Sequence, residues 1–370
     1  MYDYLVVGAG LAGATLAERL ASQLGASVLV VDKRPHVAGN THDPLGEDGL
    51  RFHQYGPHVF HTNAPHVVAY LSRFTRWIPY EHRVLARVGD RLVPIPINRT
   101  TINRLYGMAL DEPGVRAFLA ARVESPSRIV TSEDAIVARV GRELYETFFR
   151  GYTRKQWGLD PAELDASVCG RVPTRTNDDD RYFTDAFQAI PADGFTALVR
   201  RMLAHPRIEV VTGCDFATIA DRERFDRVVY TGPIDEYFGF TFGRLPYRSL
   251  TFRFETVEVA ADGLPAGCVN EPDAAVPYTR TTDYRYLTGQ RAARTVLGRE
   301  YPSAEGDPYY PIPRPENREL ARKYASLAAT QRAVVFVGRL AEYRYYNMDQ
   351  VVASALATFE NLARPSALAS

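Results

Sequence analysis

Residues 4–13 read YLVVGAGLAG, and this stretch decides the fold. Its four apolar residues form a short β-type run, and the glycines open the helix-compatible segment Leu11–Leu24, which stops at Gly25. Residues 28–31, VLVV, then supply a second run with the composition of a buried strand. A strand, a glycine turn, a helix and a second strand predict a parallel β-sheet at the centre of an α/β domain.

The glycine turn has the spacing of a dinucleotide-binding loop. In GAGLAG the glycines permit a tight turn and the close approach of a pyrophosphate to the start of the helix. Asp32 ends the next strand, at the spacing required for a carboxylate that holds a ribose hydroxyl. We therefore predict a dinucleotide site, with a glycine turn that binds nothing as the alternative. The predicted residues are Gly8, Gly10, Leu11, Gly13, Asp32 and Lys33.

The choice of FAD rather than NAD depends on two further segments. RPHVAGN at residues 34–40 is similar to the adenine-ribose segment of glutathione-reductase-like FAD proteins. FVGR at residues 336–339, followed by a helix near Asp349, resembles their second flavin-contacting segment. A helix start can present free backbone N–H groups to the pyrimidine end of a reduced flavin. FAD is the predicted cofactor, and the added cofactor-binding residues are Gly39, Asn40, Gly338, Arg339, Met348 and Asp349.

The charge balance and the cysteines exclude several classes of protein. The 44 basic and 44 acidic side chains balance, so no general field attracts nucleic acid or an anionic membrane surface. Cys169, Cys214 and Cys268 are odd in number and lack a CxxC pair, which argues against a disulfide framework or a structural zinc site. No charged leader and no apolar run of membrane-spanning length is visible, so we expect a cytoplasmic protein without membrane insertion.

Three kinds of pattern divide the chain. Residues 101–109, 114–121 and 132–149 have apolar positions at helical spacing, which predicts a helical insertion. Tyr247–Glu258 and residues 278–298 alternate as antiparallel strands with one wet face do. The predicted fold class is α/β, with a Rossmann-like FAD-binding domain, a helical insertion domain and an antiparallel β-sheet domain. The expected FAD-binding domain comprises residues 1–78, 190–245 and 320–370, the helical domain 99–165 with a mobile loop to about 175, and the sheet domain 79–98, 176–189 and 246–319.

Five runs of residues, spread over nearly the whole chain, carry a family resemblance. They are YGPHVFHT at 55–62, FFRGYTRKQWG at 148–158, VPYTR at 276–280, YYPI at 309–312 and GRLAEYRYYNMD at 338–349. Together they resemble the UDP-galactopyranose mutase family, and most closely its bacterial branch. The resemblance implies a nucleotide-sugar cleft enclosed by the three predicted domains.

The resemblance also implies an activity, that of an FAD-dependent isomerase that interconverts UDP-galactopyranose and UDP-galactofuranose. Ring opening needs a nucleophile at the anomeric carbon, and in this family the N5 atom of reduced flavin forms a covalent adduct there without net oxidation of the sugar. The product would supply galactofuranose for cell-surface glycans. The implied partners are UDP-galactose, UDP-galactofuranose and an external electron donor for the flavin, with no nucleic acid; a homo-oligomer stays open.

Two arginines are the implied catalytic side chains. Arg171 lies in CGRVP, where the resemblance makes it the arginine of a loop that closes over the diphosphate, and Arg280 is the second. A diphosphate in a partly dry cleft needs charge-assisted hydrogen bonds, worth about 1.5–3 kcal/mol each. For either arginine the alternative is a solvated surface charge. The implied substrate-binding residues are Phe148, Tyr152, Trp157, Arg171, Tyr182, Asn270, Arg280, Tyr310, Tyr345 and Asn347.

The histidines of the YGPHVFHT run have two interpretations. The family places His58 and His61 against the isoalloxazine ring, as cofactor-binding residues, whereas ordinary hydrogen-bonded histidines are the alternative. The Gly-Pro pair before His58 predicts a turn rather than a helix, and no cysteine or acidic partner completes a metal site. We expect no metal.

Three positions near the predicted phosphates stay open. Tyr309 and Tyr346 compete with their neighbours Tyr310 and Tyr345 for the phosphate contact. Asn347 stands where close bacterial relatives often carry aspartate. Because an amide cannot act as a general base, we expect a polar contact with the substrate there instead.

Two rival functions share parts of this pattern. A flavin oxidoreductase of the amine or polyol oxidase type would use the same cofactor segments but take hydride from its substrate. A non-catalytic UDP-sugar sensor would keep the pocket and lose turnover. The paired arginines and the aromatic segment count against the first, and the flavin segments count against the second.

Overall fold

The strands and helices are described for residues 2–219 and 225–364 in a computed structural model. The strands of these ranges are β1 Tyr4–Val7, β2 Val28–Asp32, β3 Phe60–Thr62, β4 Trp77–Pro79, β5 Val84–Val88, β6 Arg91–Ile95, β7 Phe187–Pro191, β8 Ile208–Thr212, β9 Arg227–Tyr230, β10 Tyr247–Glu258, β11 Cys268–Asn270, β12 Arg280–Asp283, β13 Arg294–Ser303, β14 Tyr310–Pro311 and β15 Val334–Phe336. The α-helices are α1 Leu11–Leu24, α2 Pro65–Leu71, α3 Arg99–Tyr106, α4 Glu112–Ala120, α5 Ser132–Val140, α6 Arg142–Tyr145, α7 Gly151–Trp157, α8 Ser167–Gly170, α9 Phe195–Leu203, α10 Ile234–Tyr237, α11 Val259–Asp262, α12 Tyr284–Thr288, α13 Pro315–Ala328 and α14 Met348–Ala363. Residues 1, 220–224 and 365–370 of the predicted FAD-binding domain lie outside the described residues.

Five parallel strands form the sheet that the sequence predicts at the start of the chain. Their order is β15-β9-β1-β2-β8, and β1 pairs with β2 in the register Val6 to Val30. Helix α1 packs on this sheet through the fully buried Leu16 and Leu20, and α14 packs beside α1. The predicted bounds of β1 and α1 are confirmed, and β2 extends one residue beyond the prediction, to Asp32.

A seven-stranded sheet forms the second layer, in the order β14-β10-β13-β12-β11-β5-β6. Its pairs are antiparallel except β5 with β11, which run parallel. The predicted strand β10 is confirmed over its full length. The strand pattern predicted for residues 278–298 was wrong in its middle, because the Asp283 side chain accepts the backbone N–H of Arg285 and starts helix α12.

The stretch at residues 132–149 that was predicted to be helical is divided into shorter helices. Gly141 has a φ of 82° and separates α5 from α6, at a point where a Cβ would lie 2.2 Å from the backbone oxygen of Arg122. After α6 the chain makes a π-helical turn, Glu146–Arg150, and then continues as α7. Phe148 lies in this turn. Single π-helical turns are frequent at functional sites.

A second core joins these helices to the seven-stranded sheet. Val84 and Val93 from the sheet pack with Ile102, Phe118 and Leu144 from the helices. A short sheet of order β3-β7-β4 completes the fold. Residues from α7, β12 and the start of α14 consequently line one common cleft. In the described part of the chain no helix is both long and apolar enough to cross a membrane.

Candidate active site

A long cavity follows the carboxyl ends of β1 and β2, where ligands bind in open parallel sheets. The two carboxylate oxygens of Asp32 accept backbone N–H groups of Ala9, at 2.8 Å, and of Arg34, at 2.9 Å. These contacts hold the carboxylate at the end of β2. No side chain caps the start of α1, so its first N–H groups are available to an anion.

Two glycines of the turn, Gly8 and Gly13, are required by close packing. A Cβ on Gly13 would lie 1.9 Å from the backbone oxygen of Gly8, and one on Gly8 would lie 2.1 Å from Oγ1 of Thr231. Gly8 also has a φ of 104°, which favours glycine. Gly13 therefore packs behind the turn, whereas Gly8 faces the cavity.

The structure brings together most of the predicted cofactor-binding residues. Those that line the long cavity are Gly8, Gly10, Leu11, Asp32, Lys33, Gly39, Asn40, His58, Gly338, Arg339 and Met348. Asp349 lies behind the wall, where its Oδ2 accepts a hydrogen bond of 2.8 Å from Thr62. Its Oδ1 is buried without a hydrogen-bond partner among the described residues.

A second cavity begins where the first one ends. The two share His58, Arg339 and Met348 as lining residues. His61 lines the second cavity. All the residues predicted to bind substrate line it as well, namely Phe148, Tyr152, Trp157, Arg171, Tyr182, Asn270, Arg280, Tyr310, Tyr345 and Asn347. A dinucleotide-type cavity thus opens into a cleft lined with aromatic and arginine side chains.

The cationic side chains of the cleft are held in different ways. Arg280 donates from Nε to Oε1 of the buried Glu300 at 2.6 Å, which orients its guanidinium. Arg171 lies over the ring of Tyr345, 4.8 Å from its centroid, and has no carboxylate partner among the described residues. Arg339 donates to the backbone oxygens of Tyr309 and Tyr346. The cleft therefore carries more positive charge than its own carboxylates neutralise, which suits an anionic ligand.

Two tyrosines face this charge, one from each predicted pair. Tyr310 and Tyr345 line the cleft with ring centroids 5.5 Å apart. Burial raises the pKa of Tyr345, but Arg171, Arg339 and Arg280 outweigh burial and lower the pKa below its ordinary value. Burial and the neighbouring Tyr345 raise the pKa of Tyr310 to about 12. The positive charges thus favour a polarised Tyr345 hydroxyl beside Arg171.

The neighbouring tyrosines, Tyr309 and Tyr346, make their contacts outside the cleft. Tyr309 is buried, with its ring near those of Tyr55 and Phe252. The Tyr346 hydroxyl donates to Glu342 at 3.0 Å. Tyr310 and Tyr345 are therefore the candidates for a ligand contact.

His58 stands at the junction of the two cavities as a neutral imidazole. Its Nδ1 lies 2.7 Å from the backbone oxygen of Gly56, and its backbone N–H donates to His53 at 3.0 Å. Burial and the nearby His53 lower the pKa of His58 to about 3. His61 instead contacts Asp185 at 2.8 Å and stacks on Phe183, with ring centroids 3.7 Å apart. Neither arrangement assigns a proton-transfer role.

Asn347 is the N-cap residue immediately before α14 and lines the cleft. Its backbone N–H donates to Oε1 of Gln350 at 2.9 Å. The residue thus combines a helix-capping position with an amide at the cleft wall.

Several lining residues were not predicted. Some lie inside the quoted runs but were not singled out there, as with Arg34, Thr153 and Gln156. Others come from segments with no motif, such as Asp215 and Asp307 at the long cavity. Their side chains meet the cavity only because distant segments converge in the fold.

Comparison with known proteins identifies the family. Residues 147–345 match the family model described as UDP-galactopyranose mutase, and residues 6–74 match the one described as NAD(P)-binding Rossmann-like domain. The chain is 38% identical over 366 residues to a Klebsiella pneumoniae protein named probable UDP-galactopyranose mutase, covering 96% of this chain and 93% of that protein. The chain belongs to the UDP-galactopyranose mutase family. The predicted resemblance is confirmed.

Relatives within the UDP-galactopyranose mutase family carry different sugars in their names. An Escherichia coli protein named dTDP-fucopyranose mutase is 36% identical over 369 residues, covering 96% of this chain and 97% of that protein. Among solved structures, a crystal structure of reduced UDP-galactopyranose mutase aligns with a TM-score of 0.79 at 16% identity, covering 98% of this chain and 94% of that one. This last likeness shows a shared fold, and the predicted α/β fold class is confirmed.

Proposed function

We propose that the protein is an FAD-dependent UDP-galactopyranose mutase, which interconverts UDP-galactopyranose and UDP-galactofuranose. One observation carries the proposal: the dinucleotide-type cavity and the arginine-rich cleft meet at His58, Arg339 and Met348. A cofactor lying in the first cavity would reach a ligand in the second. The domain boundaries predicted from the sequence belong to this proposal.

The long cavity fits FAD. We assign Asp32, at the end of β2, to the adenosine ribose, and the uncapped start of α1 to the pyrophosphate. Met348, in the first turn of α14, is placed near the far end of the cofactor, where helical N–H groups favour negative charge. When bound in its reduced form, FAD would supply N5 as the nucleophile for the anomeric carbon of the sugar.

The side chains of the cleft would hold the nucleotide while the sugar ring opens. Arg171 and Arg280 would pair with the diphosphate, and Tyr310 and Tyr345 would donate hydrogen bonds to it. Glu300 fixes the guanidinium of Arg280, so less reorganisation is needed when the ligand binds. UDP would then remain close to the sugar until the new ring closes.

The uracil and sugar would be enclosed by aromatic walls. Phe148 and Tyr152 line the part of the cleft next to the π-helical turn, and we assign them to uracil. The ring centroid of Trp157 lies 6.2 Å from that of Tyr310 and 6.0 Å from that of Tyr345, so we assign Trp157 to the region beside the proposed phosphate position. We also infer that an external donor reduces the flavin and that the product supplies galactofuranose for cell-surface glycans.

Turnover under controlled redox conditions tests the proposal. Anaerobic protein, one half reduced with dithionite and the other half oxidised, is incubated with UDP-galactofuranose, and the sugar nucleotides are separated by chromatography. UDP-galactopyranose formed only by the reduced sample is the expected result. Oxidised sugar would indicate an oxidase, and binding without conversion in both samples would indicate a sensor. The same assay is repeated with the corresponding dTDP-fucose substrate, because one relative is named dTDP-fucopyranose mutase.

A further inference from the structure

The ammonium group of Lys155 lies in a cage of backbone carbonyl oxygens. Its Nζ is 2.5 Å from the oxygen of Glu271, 2.7 Å from that of Asp273, 3.0 Å from that of Val276 and 3.0 Å from that of Tyr278. An ammonium has three N–H donors, so these four acceptors use its full capacity. The cage belongs to the loop of residues 271–279, which joins β11 to β12.

A second residue of α7 makes close contact with the same loop. A Cβ on Gly151 would lie 2.3 Å from the backbone oxygen of Pro272. Gly151 and Lys155 are four residues apart and therefore lie on one face of the helix. On that face Gly151, which has no side chain, allows the helix to approach the loop closely. One turn later the charged Lys155 binds the loop.

The loop has few internal bonds to hold its shape. At its base the backbone N–H of Glu271 donates to the oxygen of Thr279 at 2.8 Å. Within it Val276 donates to the backbone oxygen of Asp273 at 3.2 Å, and Ala275 donates to Oδ1 of Asp273 at 2.8 Å. Among the described residues the loop has no regular secondary structure. Lys155 thus supplies four of the polar contacts that set its conformation.

The loop and α7 both contribute to the cleft. Asn270 precedes the loop and Arg280 follows it, and both line the cleft. Tyr152 and Trp157 line it from α7. The contact between Lys155 and the loop therefore joins the two walls between which the nucleotide is proposed to bind.

At the C-terminal end of α7 the helix accepts hydrogen bonds from a cation instead of supplying one. The buried Arg248, on β10, donates from Nε to the oxygen of Gln156 at 2.9 Å and from Nη2 to that of Lys155 at 3.2 Å. In one contact the helix supplies the cation and the loop supplies the carbonyls; in the other the sheet supplies the cation and the helix supplies the carbonyls. Both contacts restrict the distance between α7 and the sheet.

We propose that Lys155 is a positioning residue for nucleotide-sugar binding, which locks the 271–279 loop against α7 and so sets the width of the cleft. The inference rests on the proposed function of that cleft. Lys155 touches neither cofactor nor substrate in this scheme, because its N–H donors are taken up by the loop. It should consequently affect affinity for the nucleotide more than the reaction at the sugar.

Steady-state kinetics of Lys155→Met, with UDP binding by calorimetry, tests this role. We expect KM for UDP-galactofuranose and Kd for UDP to rise at least tenfold, while kcat and flavin content stay within about twofold of wild type. The control is Lys323→Met, which removes an exposed lysine from α13 and should change none of these values. Gly151→Ala should show the same KM effect without removing a charge, and it decides the question if Lys155→Met does not fold.

Chemical rescue separates positioning from general stability. In Lys155→Ala, propylammonium should lower KM towards the wild-type value, whereas propyltrimethylammonium should not, since it has the charge but no N–H donors. Unchanged KM and Kd in Lys155→Met and Gly151→Ala would overturn the inference, as would a parallel fall in kcat and flavin content without rescue. UDP binding needs no turnover, so failure of the proposed reaction would be recognised separately.

Discussion

Arg171 and Arg280 differ in the charged partner that would be left unpaired if the arginine were removed. Arg171 has no carboxylate partner among the described residues, whereas Arg280 neutralises the buried Glu300. Arg171→Ala should therefore leave no carboxylate unpaired, and within the described part of the protein it removes only the contact with Tyr345. Arg280→Ala would also leave a buried charge unpaired, which costs several kcal/mol. Arg280→Lys is the better test, because it keeps the charge and loses the planar geometry.

We predict that Arg171→Ala lowers kcat/KM at least about a hundredfold, because one preorganised charge at the diphosphate is lost. Flavin content, read from the absorbance spectrum, should stay unchanged. Arg116→Ala is the control, since its side chain is 70% exposed on α4. Near-normal kcat/KM in Arg171→Ala would remove this residue from the site.

Buried histidines give the protein a predicted pH dependence. Burial lowers the pKa values of His53, His58 and His82 to about 3, with nearby charges adding to the shift. Below pH 6.5 these histidines are protonated in the unfolded chain but stay neutral in the folded chain. The free energy of unfolding therefore falls as pH falls through that value. Each histidine should cost about 2 kcal/mol at pH 5 relative to pH 8.

Denaturant unfolding of His82→Gln at pH 8 and pH 5 measures one such contribution. The fall in unfolding free energy between these pH values should be about 2 kcal/mol smaller than in wild type. The exposed His66, changed to Gln, serves as the control for the same substitution at the surface. An identical fall in His82→Gln and wild type would show that this histidine is not held neutral.

The role of the glycine turn between β1 and α1 can be tested by a substitution that adds a single methyl group. We predict that Gly13→Ala loses bound flavin and a large part of its stability, since the new Cβ would lie 1.9 Å from the Gly8 oxygen. Gly25→Ala is the matched control. It has a φ of 66° with nothing within 4 Å of the added carbon, so only about 1–2 kcal/mol of backbone strain is expected. Flavin retained by Gly13→Ala would contradict the proposed cofactor site.

Elements with strong local signals were predictable from the sequence. The apolar run sets the bounds of β1, the three glycines separate it from α1, and Gly25, which is left-handed in the structure, ends α1. α12 was missed, because its start depends on a cap by Asp283 within an alternating pattern. β3 and β4 have three residues each, and their pairing with β7 depends on the tertiary fold.

The candidate site was predictable to the extent that it lies in family motifs. Most aromatic and arginine residues of the cleft belong to such runs, whereas Arg171, Tyr182 and Phe183 lie outside them. Lys155 lies in one of those runs, yet its position could not be interpreted from the sequence. Its partners are backbone carbonyls of a loop more than a hundred residues away, and any side chains could supply these.

The protein as a whole places two kinds of binding surface end to end. The parallel sheet provides the cavity that we propose for the cofactor, while the helices and the seven-stranded sheet enclose the cleft. Arg34 and Asp307 both line the first cavity, and Arg34 donates to Asp307 at 2.9 Å, which connects the two layers. This ion pair is partly exposed and contributes at most about 1 kcal/mol, so the arrangement depends mainly on the buried cores.

The most direct test of this account is a crystal structure of the dithionite-reduced protein with UDP-galactose. We predict FAD along the carboxyl ends of β1 and β2, with its N5 within about 3.5 Å of the anomeric carbon. Arg171 and Arg280 should both contact the diphosphate. A protein that contains no flavin, or a nucleotide sugar bound away from the junction at His58 and Arg339, would contradict the account.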